Sequence, residues 1–358
     1  MKRLPLAALA AAFLVFLVWS VSVRQAALFA VGFGMGAVLA GRRFGFTTGW
    51  RQLVEQRDPT GVIGQLALLG LAAAMAMPLL GRFPELHAAL GPPSVSLLAG
   101  AFVFGLTMQI ADGCGSGTLY KAGQGVPLNM AILPLFALGS FLGSVHLDRW
   151  LDLGQVEPVG LVDRWGVGGA LAATWAGLLA LAVATRQYAG WSQRWLDRRW
   201  LVGALLLAVL ATLNLLIAGQ PWGVVYGFGL WAAKAASALG VFDAAGNAFW
   251  SQPGHAQRLT QTLLLDVTSI TNIGILAGAL WVSARGADVD AKPLDASQWA
   301  VGLLAGFVMG YSSRLAFGCN IGALLSGIST GSVHGWLWLP MAFAGTLVGV
   351  RVRRRFDF

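Results

Sequence analysis

Eleven apolar stretches follow one another along the 358 residues of this chain, and most are long enough to cross a lipid bilayer as a helix. Charged residues make up only 11% of the chain, whereas soluble domains carry about 25%. So few charges cannot cover a water-facing surface of this size, which excludes a soluble enzyme. The sequence therefore predicts an all-α polytopic membrane protein. The stretches lie at about 6–23, 26–41, 61–80, 97–112, 129–147, 168–186, 199–218, 223–241, 262–284, 299–316 and 335–350.

Four of these stretches are short or interrupted by glycine: 26–41, 97–112, 223–241 and 299–316. A helix needs about 20 apolar residues to cross the hydrocarbon core, so shorter segments are typical of re-entrant or broken helices. A bilayer tolerates such helices only where protein buries them or where they line a cavity. We therefore expect about nine full crossings, with the short or broken helices meeting centrally.

An internal repeat relates the short segments in pairs. Phe102–Leu119 aligns with Phe307–Leu324 without a gap, and eight of the 18 positions are identical, which is more than composition bias alone gives. Gly32–Gly45 aligns more weakly with Gly227–Gly240, with six of 14 positions identical. The chain is therefore predicted to be a duplication whose two homologous halves form a pseudo-two-fold arrangement.

Each predicted half contains an A segment followed by a B segment. Broken hydrophobic segments at corresponding positions of two halves indicate the binding site of a transporter. The N-terminal half is 1–190, with its A segment at 26–45 and its B segment at 100–120, and the C-terminal half is 191–358, with its A segment at 223–240 and its B segment at 305–325.

Both cysteines of the chain, Cys114 and Cys319, occupy the same position of the B repeat. A lone cysteine in a membrane helix is usually a small buried apolar residue. Two cysteines at one repeat position, each preceded by glycine, favour a binding role, because glycine lets a ligand approach the sulfur closely. Close packing between helices is the other explanation for the glycines. The predicted substrate path consists of Cys114, Cys319, Gly113, Gly115, Ser116, Gly318 and Asn320.

Three cations lie within or beside the short segments: Lys234, Arg314 and Lys121. The first two interrupt apolar segments, and a cation at membrane depth must face a cavity or a partner. An anion path would provide that partner, and so would a carboxylate such as Asp112. These three cations are therefore candidate anion-attracting residues, whereas membrane topology explains loop arginines such as Arg51.

The basic segments also predict an orientation. The segments 186–199 and 351–358 carry four arginines each, and short cytoplasmic loops are enriched in such residues. The segments 146–164 and 285–298 carry acidic residues and are expected on the outer side. The net charge of +9 follows from this clustering of Lys and Arg beside the spans, so we expect no nucleic-acid partner.

Neither a metal site nor a cofactor is expected. Two cysteines make no disulfide framework, and the four histidines show no metal-ligand spacing. Any chemistry of the site must therefore come from the side chains and the backbone of the B segments.

The run 42–47, Arg-Arg-Phe-Gly-Phe-Thr, and the two Gly-Cys-x-x-Gly B segments resemble the YeeE/YedE family of bacterial membrane proteins. The resemblance covers most of both halves. It implies import of thiosulfate or a related sulfur anion across the bacterial inner membrane, with Cys114 and Cys319 as the thiols that pass the anion inward. It also implies an hourglass-like helical fold without a large rocking motion. A cytoplasmic sulfur-carrier protein, if one takes part, would be a separate chain.

One position departs from the family pattern. The family commonly carries a cysteine in an Arg-Phe-Cys-Phe-like run of the first A segment, where this chain has Gly45. Another sulfur or selenium species is therefore an alternative substrate. A membrane thiol–disulfide protein in which Cys114 and Cys319 cycle is a second alternative, although the Cys-x-x-Cys pair of many redox proteins is absent. A purely structural membrane subunit is the third.

Overall fold

The computed structural model describes residues 3–191, 194–284 and 293–358. The described residues form helices and loops, with two isolated backbone bridges that join Ser94 to Gln155 and Gly160 to Ser332. A 3₁₀ turn at Leu263–Leu265 and a π-helical segment at Asn320–Leu325 accompany the α-helices. The α-helices are α1 (Arg3–Ser20), α2 (Val23–Arg42), α3 (Phe46–Gln56), α4 (Thr60–Leu80), α5 (Val95–Ile110), α6 (Gly115–Gly123), α7 (Pro127–Val145), α8 (Leu147–Leu151), α9 (Leu161–Ala189), α10 (Arg198–Ala218), α11 (Val225–Ala238), α12 (Pro253–Thr260), α13 (Val267–Ser283), α14 (Ala296–Leu315), α15 (Ser326–Ser329) and α16 (Val333–Arg355).

Nine helical segments in the described part of the chain are long and apolar enough to cross a membrane, which confirms the predicted number. Two of the predicted stretches are not among them, because α11 has only 14 residues and α13 only 17. At about 1.5 Å per residue, α11 is roughly 21 Å long, well short of a hydrocarbon core of about 30 Å. By contrast, the stretches 26–41 and 299–316, which we expected to be short, belong to the 20-residue helices α2 and α14.

Helix caps explain why α2 and α14 are longer than their apolar stretches. The side chain of Ser22 accepts a hydrogen bond from the backbone N–H of Gln25 at the start of α2. At the start of α14, Asp295 and Gln298 each accept a hydrogen bond from the backbone N–H of the other, which is a capping box. These caps satisfy N–H groups that a helix start leaves without partners. Both helices therefore begin within polar residues that a search for apolar stretches leaves out.

Three pairs of parallel helices form the centre of the molecule: α2 with α13, α5 with α16, and α7 with α14. Glycines face the partner helix in each pair, so that the two backbones touch. A Cβ atom at Gly36, Gly310 or Gly345 would overlap a backbone carbonyl of the partner helix. This is the small-residue packing typical of membrane helices.

The pairing of the B segments is reciprocal. The helix α5 packs along α16, which follows the second B segment, and α14 packs along α7, which follows the first. A two-fold arrangement of two halves would produce this pattern. The boundary at residue 190 stays a prediction, and so does the correspondence of the two A segments. These segments have different neighbours, because α2 packs along α13 and α11 packs along α7.

The helices α14 and α16 run in opposite directions. The side chain of Gln298, at the start of α14, donates hydrogen bonds to the carbonyls of Phe356 and Asp357, just beyond the end of α16. Arg314 follows 16 residues later on α14, so it lies about 24 Å further along the helix axis. We call the end of the molecule that holds Phe356 the C-terminal end, and the end that holds Arg314 the opposite end.

The two arginine-rich segments both contact the region of α2 and α3. Arg199 donates a hydrogen bond to the carbonyl of Arg42 at the end of α2, and Arg354 pairs with Glu55 of α3 at 2.9 Å. This agrees with an orientation that places 186–199 and 351–358 on one side of the membrane. That orientation stays a prediction, and most of the acidic segment 285–298 lies outside the described residues.

Candidate functional site

The two B segments break at matching residues. Asp112 and Phe317 both adopt a left-handed backbone conformation, with φ of 53° and 56°, two residues after α5 and α14 end. Residues other than glycine rarely adopt this conformation, which costs roughly 1 kcal/mol or more. Helix resumes three residues later, in α6 and in the π-helical segment. Cys114 and Cys319 are therefore the last residues before these second helical segments.

The glycines that precede the cysteines are required by the shape of each loop. Gly318 has φ of 145°, which side chains rarely tolerate. A Cβ atom at Gly113 would lie 2.8 Å from the backbone nitrogen of Thr118, and one at Gly318 would lie 2.6 Å from that of Ala323. The crowding lies within each loop rather than against a neighbouring helix. Packing between helices therefore does not explain this pair of glycines.

The loops that carry the two cysteines meet in the core, as predicted for the two B segments. Cys114 and Cys319 are both buried, and both are free thiols. A Cβ atom at Gly115 would lie only 3.1 Å from Sγ of Cys319. The thiol of Cys319 therefore packs against the backbone next to Cys114.

Polar groups surround the thiols. Oγ of Ser116 lies 3.4 Å from Sγ of Cys114, and the backbone N–H of Ile321 donates to Sγ of Cys319 at 3.5 Å. Asn320 is completely buried, yet neither its amide oxygen nor its amide nitrogen has a hydrogen-bond partner among the described residues. A buried amide without partners costs about 1–3 kcal/mol, so its presence calls for an explanation.

All seven residues of the predicted path lie in these two loops or at the starts of the helical segments that follow them. The repeat was the signal that found them, because the same short motif occurs once in each half. The three predicted cations are not brought together with one another.

Lys121 is part of a cluster around Asp112 that we call the Asp112 cluster. Its Nζ atom lies 2.5 Å from Oδ2 of Asp112, while Arg51 lies 2.8 Å and Arg353 3.3 Å from Oδ1. The explanation of Arg51 as a loop cation set by topology is therefore wrong, because this residue lies in α3 and pairs with Asp112, two residues before Cys114. Arg353 was also missed, since nothing in the sequence links α16 to Asp112.

Lys234 and Arg314 lie apart from Asp112. Nζ of Lys234 donates hydrogen bonds to the carbonyls of Leu259 and Gln261, at 2.6 and 2.5 Å. The guanidinium of Arg314 lies 4.8 Å from the ring centre of Phe249, and no carboxylate pairs with it among the described residues. Its Nε atom is buried without a hydrogen-bond partner there. Of the two cations, Arg314 has more capacity left to bind an anion.

The surroundings of Arg314 include an uncharged histidine. The side chain of His255, on the short helix α12, lies 3.0 Å from the hydroxyl of Tyr226. Burial, together with the charges of Arg314 and Arg258, lowers the pKa of His255 to about 4. The imidazole is therefore uncharged at neutral pH, and the positive charge of this region comes from Arg314 and Arg258.

Gly45, where the family pattern has a cysteine, lies close to α6. It precedes α3, and a Cβ atom there would be 3.2 Å from Oγ1 of Thr48 and 3.4 Å from the hydroxyl of Tyr120. A side chain at this position would therefore point at a tyrosine five residues beyond Gly115. The chain has hydroxyl groups where the resemblance expects a thiol.

Known proteins resemble this chain over most of its length. A family model described as Sulphur transport matches residues 42–348. The thiosulfate transporter TsuA of Spirochaeta thermophila is 25% identical over 333 residues, which cover 86% of this chain and 92% of that protein. The thiosulfate transporter TsuA of Escherichia coli is 22% identical over 346 residues, which cover 90% of this chain and 94% of that protein.

A second kind of relative matches a shorter region. The probable transporter YedE of Salmonella typhimurium is 26% identical over 173 residues, which cover 44% of this chain and 39% of that protein. Because the family model spans both B segments and most of the chain, this protein belongs to the Sulphur transport family, the YeeE/YedE family that its motifs resemble, and is a sulfur-compound membrane transporter rather than an enzyme.

Proposed function

We propose that this protein imports thiosulfate across the bacterial inner membrane, by way of the contact between its two cysteine-bearing loops. The anion enters at the opposite end, near Arg314, and passes Cys319 and Cys114. It then leaves at the C-terminal end. A separate sulfur-carrier protein that accepts the anion in the cytoplasm is part of this proposal.

The unpartnered amide of Asn320 beside two buried thiols is the observation that carries the proposal. Its amide nitrogen can donate two hydrogen bonds to an anion, and the Cys319 thiol next to it can donate one through S–H. A soft sulfur atom suits thiols, while oxygen atoms suit N–H donors. The combination therefore fits an anion that has both kinds of atom, as thiosulfate does.

The starts of two helical segments add to the site. The backbone N–H groups after Cys114 and Cys319 belong to helix starts, where positive potential favours an anion. Neutral thiols serve this role better than thiolates, because a thiolate would repel the substrate. The backbone at Gly115 lies against Sγ of Cys319, so an anion bound at one loop is already close to the other. We therefore infer that the anion passes without rotation of one half against the other.

Uptake of labelled thiosulfate by cells that lack their own importers tests the proposal. Cells that produce this protein should accumulate label above the level of cells that carry the empty vector. Excess unlabelled thiosulfate should compete, while sulfate should compete weakly, because it has no terminal sulfur. Absence of uptake, with the protein present and folded in the membrane, would refute thiosulfate as the substrate, and competition by other sulfur or selenium anions would then identify the correct one.

Arg314→Gln is expected to lower uptake at least about tenfold, because a buried charge that meets an anion contributes more than about 1.4 kcal/mol. Lys234→Gln is the matched comparison, and we expect a smaller effect because backbone carbonyls already hold Lys234. Initial uptake rates over a range of thiosulfate concentrations measure both variants. Equal losses in the two variants would contradict entry of the anion at Arg314.

A further inference from the structure

The Asp112 cluster gathers three cations around one carboxylate. Arg51 comes from α3, Lys121 from α6 and Arg353 from α16, so three separate helices deliver them. Lys121 also donates a hydrogen bond to the backbone carbonyl of Asp112, at 2.5 Å. With three positive charges and one negative, the cluster has a formal charge of +2. One cation would be enough to neutralise the carboxylate of Asp112, so the other two leave a positive charge that an anion can occupy.

The backbone of the loop does not require an aspartate at this position. The matching residue of the second half, Phe317, adopts the same left-handed conformation without a carboxylate. Asp112 lies two residues before Cys114, and the second loop has Phe317 at the matching position. The carboxylate is therefore a difference between the two loops, and it lies at the C-terminal end, where the proposed path ends. The conformation of the turn therefore does not explain why the first loop has a carboxylate.

The cluster faces open space at the C-terminal end. Asp112 and Arg353 line a cavity of about 600 Å³, together with Asn129, Trp299 and Phe358. The side chains of Arg51, Lys121 and Arg353 are 14–18% exposed. Charges this far from bulk water are screened less than surface charges, so they attract an anion strongly. An anion that moves from Cys114 towards this end meets them next.

We propose that the Asp112 cluster is the release site of the transport path, where the carboxylate of Asp112 competes with the departing anion. This inference rests on the proposed import of thiosulfate and adds a second anion site to it. The anion binds Arg51, Lys121 and Arg353 in place of the carboxylate. Asp112 then recovers its partners and displaces the anion into the cavity.

A tethered carboxylate is an efficient competitor because it stays at high effective concentration beside its cations. Without its charge, three cations would face the divalent anion with no competitor. The anion would then bind more tightly and leave more slowly. Tight binding with slow turnover is the signature that separates this role from a structural one, since a damaged fold would weaken binding.

Asp112→Asn, which keeps the shape of the side chain, tests the proposal in purified protein and in proteoliposomes. Thiosulfate binding to the purified variant, measured by calorimetry, should be at least about tenfold tighter than to the wild type, as expected for one unit of charge in a partly buried site. The maximal rate of uptake should fall at least about fivefold, because release becomes slow. Asp243→Asn is the matched control, since the Asp243 carboxylate accepts a hydrogen bond from the backbone N–H of Ala245 and forms no ion pair with the cluster, and it should change neither quantity.

The double variant Arg51→Gln/Asp112→Asn should reverse part of both effects, because it restores the formal charge of +2. Wild-type affinity and rate in Asp112→Asn would overturn the proposal, and so would loss of binding together with a lower melting temperature.

If Asp112→Asn does not fold, the single variant Arg51→Gln tests the proposal instead. It should raise the half-saturating thiosulfate concentration for efflux from the C-terminal side and leave the half-saturating concentration for uptake unchanged. No change in efflux would refute the release site. Failure of the wild type to take up thiosulfate would instead refute the proposed function.

Discussion

Cys114→Ala and Cys319→Ala are each expected to lower thiosulfate uptake at least about thirtyfold, while folded protein remains in the membrane. Each thiol is buried at the contact between the two loops, where water cannot replace a lost contact to the anion. An unmet polar contact to a charged group in such a place costs about 2 kcal/mol or more, which corresponds to roughly thirtyfold. The fold should tolerate both changes, since alanine is close to cysteine in size. Initial uptake rates, corrected for the amount of folded protein, measure the effect.

Controls separate a contact role from packing and from redox chemistry. Thr174→Ala also removes a polar atom from a buried side chain, on α9, which packs along α4, and should leave uptake unchanged. Cys→Ser variants keep a hydrogen-bond donor and show whether sulfur itself is needed. A thiol–disulfide protein would lose function in reductant and would form a Cys114–Cys319 disulfide during turnover. Normal uptake by both alanine variants would contradict the proposed path.

Asn320→Leu is expected to lower uptake by roughly ten- to a hundredfold without lowering the melting temperature. Hydrogen bonds to a charged group contribute about 1.5–3 kcal/mol, so the anion loses that much when the amide is replaced. The protein itself loses no hydrogen bond, because both polar atoms of the amide are buried without partners among the described residues. Leucine has the same number of side-chain heavy atoms but a larger volume, and the removal of an unpaired buried polar group offsets that crowding, so the variant should be about as stable as the wild type.

Asn272→Leu is the matched control for that variant. Asn272 is equally buried, but its amide nitrogen donates to the carbonyl of Val224 at 2.9 Å. Its replacement leaves that carbonyl without a partner and should lower the melting temperature. If Asn320→Leu instead loses stability as Asn272→Leu does and retains uptake, Asn320 has a structural role and the anion does not bind there.

The repeat explains why the centre of this molecule could be predicted from the sequence. The motif around Cys114 recurs around Cys319, and a broken apolar segment in each half predicts loops that meet. Hydropathy also predicted about nine crossings. It failed on lengths, because it overlooks polar residues that continue a helix once a cap such as Ser22 or Asp295 starts it.

The Asp112 cluster could not be predicted in the same way. Arg51 lies 61 residues before Asp112, and Arg353 lies 241 residues after it. The sequence shows these charges but not their pairing, which depends on α3 and α16 packing beside the first B segment. The rule that assigns loop arginines to membrane topology is sound on average. It fails for Arg51, because α3 is a short amphipathic helix folded against the core rather than a loop.

Alkylation of the two cysteines in the wild-type protein, with and without thiosulfate, tests most directly whether the anion contacts the thiols. Because both thiols are buried, the reagent is iodoacetamide, which is small enough to follow a small anion to them; it reacts for increasing times, and peptide mass spectrometry gives a separate rate for Cys114 and Cys319. Saturating thiosulfate should slow both reactions at least about tenfold, because a bound anion blocks the contact between the loops. The same concentration of sulfate should have little effect. Equal rates with and without thiosulfate, in protein that takes up thiosulfate, would show that the anion crosses the membrane elsewhere.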